Sequence, residues 1–299
     1  MRPTVFLLTL FLTTLVWNSS MAQMDNIPTS FENDDETVSA TTKKHLNFFI
    51  VSKRKKGKID LATRFDVLRS KIKSFLCGKK FVAIVVNDTK QMSEKVQYRL
   101  KKFNAFIGTI WFDSHGKFSR GYSNFSIGLN EYNYKNLKDP DTIQYLKQLA
   151  ALSDKQTKVV IGSCYAGATY YRTTPDYKDT TRMNGDSLMM DMGKIFDHAV
   201  IYASESWVMT KPGLFWKTSS VTGTPIRKRF KDILYRPAWE SIGKWNEYNS
   251  STQQFQHVNP VTLDKHGNMC VRSHSYTGKK KTKKKILRSL QKLQPGLYK

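Results

Sequence analysis

The chain has 299 residues, of which 39% are hydrophobic, 12% aromatic and 24% charged. That length suffices for one or two domains with a buried core, and the composition excludes wholesale disorder and a polytopic membrane protein. Lys and Arg number 49 against 24 Asp and Glu, a formal charge of +25; a surplus of that size attracts nucleic acid, anionic lipid or acidic glycan, or simply serves solubility.

The chain opens on Met1-Arg2 and an apolar run from Val5 to Trp17, with Ser20 and Ala22 suited to small-residue cleavage. The run is too short to span a bilayer comfortably, so residues 1–22 read as a cleaved secretory signal and the mature chain as exported, without a transmembrane segment. Residues 23–59 read as an acidic, then basic, leader. Asp25, Glu32, Asp34, Asp35 and Glu36 come first, and Ser52 to Lys58 form a basic hinge. This leader is a possible propeptide, with cleavage expected between about Lys53 and Lys80, because nicking concentrates in exposed flexible segments. Leu61, Phe65, Leu68, Ile72 and Phe75 then fall at helical spacing over residues 60–76.

From Phe81 the pattern alternates. Phe81 to Val86 is a continuous apolar strand, and Met92, Val96, Leu100 and Phe103 mark a helix. Phe106 to Phe112 is a second strand, and Asp141 opens a helix with Ile143, Leu146, Leu149 and Ala150 inward. Val159 to Ile161 is a third strand, Asp186 can cap a helix through Phe196, and Ala199 to Tyr202 is a fourth strand. Such a succession predicts an α/β fold with a mostly parallel central sheet flanked by helices. Pro225 to Leu234 and Trp239 to Tyr248 read as further helices. Residues 279–299 hold nine Lys or Arg and no acid, with Ile286, Leu287, Leu290 and Leu293 on one face of a short basic helix. The folded domain is thus expected over residues 60–278, with a basic tail behind it.

Ligands of parallel α/β sheets sit at the carboxyl ends of strands. There the second strand ends in Asp113-Ser114-His115-Gly116 and the third in Gly162-Ser163-Cys164-Tyr165-Ala166-Gly167. A cysteine nucleophile needs a base or cation beside it, and neighbouring loop ends can bring the two together. The backbone N–H groups of Gly116 and Cys164 are candidate oxyanion donors. His266-Gly267 before Cys270 offers similar residues, but no apolar strand leads into it, so it reads as a turn.

An apolar strand, His-Gly, about 50 residues, a second apolar strand and then Ser-Cys-x-x-Gly resemble the caspase-like cysteine peptidases, closest to their bacterial caspase-like and metacaspase branch. The resemblance covers residues 80–220. It implies a caspase-like three-layer sandwich, a catalytic dyad of His115 and Cys164, and a pocket strand at Ala199 to Trp207 with Ser204, Glu205 and Trp207 as pocket candidates. Gly162 departs from the pattern, since metacaspases place an Asp there that helps bind a basic side chain; Glu205 is a candidate replacement.

The expected function is therefore an exported, secreted or periplasmic, cysteine endopeptidase acting on peptide or protein substrates without a cofactor. No zinc-ligand spacing occurs. The alternative is an inactive caspase-like or other α/β exported protein that binds polyanions through residues 52–58 and 279–285. Of the three cysteines, the simplest arrangement pairs Cys77 with Cys270 and leaves Cys164 free; all three reduced is the other arrangement.

Overall fold

The structure, a computed structural model, describes residues 44–53, 68, 81–116, 122–173, 180–205, 208–210, 218–222, 244–258, 261–264 and 266–271. Its first element lies where the sequence suggests a leader. β1 (Lys44–Ser52) pairs in parallel with both β2 (Phe81–Val86) and β3 (Ala105–Asp113), and Leu46, Phe48, Phe49, Ile50 and Val51 are buried. The leader boundary at residue 59 is therefore corrected: the sheet already begins at Lys44. This apolar run is hidden in the sequence because acidic and basic stretches flank it and Asn47 interrupts it. Asn47 is nevertheless satisfied in the core. Its Oδ1 accepts from the Thr109 N–H at 2.8 Å, and its Nδ2 donates to the His266 carbonyl at 3.0 Å and to Asn268 Oδ1 at 2.9 Å.

After β2, Asp88 caps α1 (Thr89–Phe103) by accepting from the Gln91 N–H at 2.8 Å, and Asn104 ends the helix in the left-handed region. β3 leads to a hairpin of β4 (Asn124–Ile127) and β5 (Asn130–Asn133). Asp139 then caps α2 (Pro140–Ala150), which starts on a proline as first-turn geometry allows. β6 (Lys158–Gly162) is followed by a second hairpin, β7 (Tyr171–Thr173) and β8 (Thr180–Arg182). α3 (Gly185–Ile195) and β9 (Val200–Ser204) complete the alternation. Asn184, not Asp186, occupies the cap position of α3. The Asp186 carboxylate is drawn instead into a fork with the Arg182 guanidinium, at 2.6 and 3.3 Å.

Short strands follow: β10 (Met209–Thr210), β11 (Thr218–Thr222), β12 (Trp245–Asn249), β13 (Gln254–Val258), β14 (Val261–Asp264) and β15 (Met269–Val271). Trp245 to Tyr248 thus belong to a strand, which corrects the helix expected over Trp239 to Tyr248. Trp239, Ile242, Trp245 and Tyr248 are spaced by three, and that spacing imitates a helix until β9 supplies a pairing edge. The Cys270 thiol lies on the exposed side of β15, and Cys77, with which the sequence would pair it, lies outside the described residues. Burial, then the Asp264 carboxylate, raise the pKa of this thiol. Cys77, residues 1–43, the helices expected at 60–76 and 225–234, and the basic tail lie outside the described residues, Leu68 excepted.

The seven-stranded sheet has the order β13-β12-β9-β6-β3-β1-β2, parallel from β2 to β9 and antiparallel at β12 and β13. This is the α/β, mostly parallel architecture expected from the sequence. On one face, Met92, Val96 and Leu100 of α1, Leu146 and Leu149 of α2, and Leu188 and Met192 of α3 pack onto Phe48, Ile110, Phe112 and Ile161. On the other face, among the described residues, Val261, Leu263 and Met269 of a small antiparallel sheet cover Phe49, Trp111, Val160 and Trp245. Among the described residues, no helix is long and apolar enough to cross a membrane.

Candidate active site

β3 and β6 are adjacent and parallel, with Asp113 opposite Gly162. The residues two positions beyond each, His115 and Cys164, therefore leave the sheet on neighbouring loops at its carboxyl edge. The loops touch through backbone. A Cβ on Gly116 would overlap the Cys164 carbonyl oxygen and lie 2.8 Å from the carbonyl carbon and 2.9 Å from Ser163 Oγ. Glycine at 116 is thus required by close approach. His115 is exposed and Cys164 half-buried.

The turn carrying Cys164 is held tightly. Tyr165 adopts φ +62°, a left-handed conformation that an ordinary side chain takes only under constraint from its surroundings. The Gly167 N–H donates to the Ser204 carbonyl at 2.9 Å, and the Gly167 carbonyl accepts from Asn246 Nδ2 at 2.7 Å. The sulfur itself accepts from the Val208 N–H at 3.3 Å and lies 3.7 Å from the Val208 carbonyl, to which the thiol donates.

The β4–β5 hairpin ties the two loops together, a role that sequence reasoning missed. Ser114 Oγ accepts from the Ser126 N–H at 3.0 Å, and Ser163 Oγ donates to the Asn124 carbonyl at 2.9 Å. Ser123 Oγ donates to the Tyr165 carbonyl at 2.9 Å and lies 3.2 Å from the Ala168 carbonyl. Serine-to-backbone bonds follow no residue spacing, so the only available signal was the Ser/Asn density of residues 114–126.

Of the pocket candidates, Ser204 is buried at the end of β9, with its carbonyl committed to the Gly167 N–H. Glu205 is also buried. Its Oε1 lies 3.2 Å from His257 Nδ1, its N–H donates to the Lys244 carbonyl, and its carbonyl accepts from the Tyr170 hydroxyl at 2.7 Å. Burial, then the Glu205 charge, raise the Tyr170 pKa well above the ordinary tyrosine value. His257 Nδ1 is also 2.7 Å from Asn246 Oδ1, so one network runs from Glu205 through His257 and Asn246 to the Cys164 turn. Trp207 lies outside the described residues.

Gly162 has its own explanation. A Cβ there would overlap Nε1 of the buried Trp111 and lie 2.9 Å from both Trp111 Cε2 and the Phe112 carbonyl oxygen. The indole fills the space that an Asp at this position would need. His266-Gly267, by contrast, forms the turn between β14 and β15, where Gly267 has φ +80° and packs on Phe81 and Asn47.

No family model and no curated protein matches the chain. Among solved structures it is similar to the crystal structure of caspase-1 from Spodoptera frugiperda, with 13% identity, 66% of each chain covered and a TM-score of 0.29. The functional reading rests on the geometry of the site, not on that distant likeness.

Proposed function

We propose that the chain is an exported caspase-like cysteine endopeptidase that hydrolyses peptide bonds through Cys164 and His115. The observation that carries this reading is the backbone contact between Gly116 and Cys164, which supports a histidine and a cysteine serving one substrate carbonyl. In this mechanism the Cys164 sulfur bonds to the scissile carbonyl carbon, and the backbone N–H groups of Gly116 and Cys164 hold the developing oxyanion. His115 delivers a proton to the leaving amine as the C–N bond breaks, leaving a thioester. Water, deprotonated by His115, then adds to the thioester. The adduct expels the Cys164 sulfur as thiolate, the carboxylic acid departs, and the proton taken from water remains on His115. Ser204 and Glu205, buried at the end of β9, would stand behind the substrate pocket.

The test is Cys164→Ala, scored on a peptide library and with a thiol-directed activity probe. Turnover and labelling should both vanish while the thermal melt is kept, since one small side chain replaces another. His115→Ala should lower kcat by about 10²–10⁴. Cleavage by Cys164→Ala at the rate of the unaltered chain would overturn the reading.

A further inference from the structure

Nucleophilic cysteines commonly draw on a helix N-terminus to favour the thiolate. Cys164 has no such help among the described residues: residues 163–167 are a turn, and the hairpin of β7 and β8 follows, with α3 starting only at Gly185. Val208 presents a fixed backbone donor, its N–H aimed at the sulfur at 3.3 Å.

We propose that the backbone amide of Val208 holds the Cys164 sulfur as its thiolate in the resting protein. This rests on the reading of Cys164 as a nucleophile and adds Val208 as a positioning residue. The amide is anchored on both sides. Before it, the Glu205 N–H donates to the Lys244 carbonyl at 3.1 Å; after it, Met209 and Thr210 pair with Thr222 and Val221. The same residue serves both protonation states. The thiol can turn its S–H to the Val208 carbonyl at 3.7 Å, and loss of that proton exchanges this bond for the N–H without moving the backbone. A hydrogen bond to the charged form favours that form. Among the described residues, the other titratable groups on the surrounding elements include Asp113 and His115 at the end of β3, Tyr165 and Tyr170 beyond β6, Glu205 beyond β9 and His257 of β13.

Alkylation of Cys164 by iodoacetamide across pH reads thiol ionisation without any peptide substrate. Val208→Pro deletes the N–H and keeps the carbonyl. Its alkylation midpoint should move up by about one unit, with alkylation below the midpoint slowed about tenfold. A merely structural role would change access and scale the rate equally at every pH, which would overturn the proposal. An unmoved midpoint would do the same. Should Val208→Pro fail to fold, the Val208 amide proton in the full chain supplies the answer by NMR. Its resonance should titrate with the Cys164 thiol and stop titrating in Cys164→Ala; a resonance indifferent to Cys164 would overturn the proposal. Loss of peptide cleavage plays no part in either readout, so the endopeptidase reading and this one fail separately.

Discussion

Gly116 shows how the approach of two loops can depend on an absent side chain. The atoms a Cβ would meet include the backbone carbonyl of Cys164, which is pinned by the turn around it and cannot step aside cheaply. Gly116→Ala should therefore cost about 1–3 kcal/mol in urea unfolding, the usual penalty of overpacking. Its effect on turnover should be larger, about 10²-fold in kcat, because pushing the two loops apart by an ångström misplaces the reacting groups. A variant with unchanged kcat would show that the loops need not touch. The placement of His115 and Cys164 on neighbouring loops was legible in the sequence because each follows an apolar strand of the parallel sheet. Ser114, Ser123, Asn124, Ser126 and Ser163, which fix those loops, were not, since their partners are carbonyls and N–H groups that any residue offers. Asn246 and Val208 were equally hidden, as both reach the Cys164 turn across long sequence separations.

Among the elements, β6 and β3 have settled a packing trade. Trp111 spreads its indole across Gly162, so the strand entering the Cys164 turn carries no side chain on that face at its last position. Gly162→Ala should destabilise by about 1–3 kcal/mol, and Gly162→Asp by more, because it also buries a carboxylate. Cutting the indole back with Trp111→Leu should relieve part of the Gly162→Ala penalty, giving a coupling of about 0.5–3 kcal/mol in a double-mutant cycle. Strict additivity would mean that Trp111 does not exclude the side chain. The helices were legible from their spacing of apolar residues, whereas β12 was not, because Trp239, Ile242, Trp245 and Tyr248 repeat at a near-helical interval in the sequence and only the edge of β9 decides the matter. The start of α3 carries a pH signature of its own. Burial alone would raise the Asp186 pKa, but the Arg182 fork and the Ser187 N–H outweigh it and hold the carboxyl below its ordinary 3.8. The stability it adds is complete above that value and is lost as the pH falls through the lower, folded-state pKa. The pair is partly exposed, so Asp186→Asn should cost only about half a kcal/mol near neutrality. The gap in melting temperature should close in acid, below about pH 4; a constant gap would assign it to something other than the ion pair.

For the whole molecule, β1 changes what processing can do. A cut among the basic residues Lys53 to Lys58 falls after the strand, not before it, so it leaves residues 44–52 inserted between β2 and β3. Leu46, Phe48, Phe49, Ile50 and Val51 are each almost wholly buried. At about 1.5–3 kcal/mol per fully buried side chain, their removal would consume the roughly 5–15 kcal/mol by which a domain is stable. Two N-terminal truncations and a nick separate the possibilities. A chain starting at Lys43 should melt like the full chain, whereas one starting at Lys53 should be unfolded or insoluble. A chain nicked by trypsin within residues 53–58 should elute as one particle in native gel filtration, and its two fragments should part only in denaturant. Activation by proteolysis at these residues, where it occurs, then leaves β1 in the sheet as a strand without a covalent link to β2. A folded, monodisperse chain beginning at Lys53 would show that the sheet closes without β1 and would return residues 44–52 to the leader.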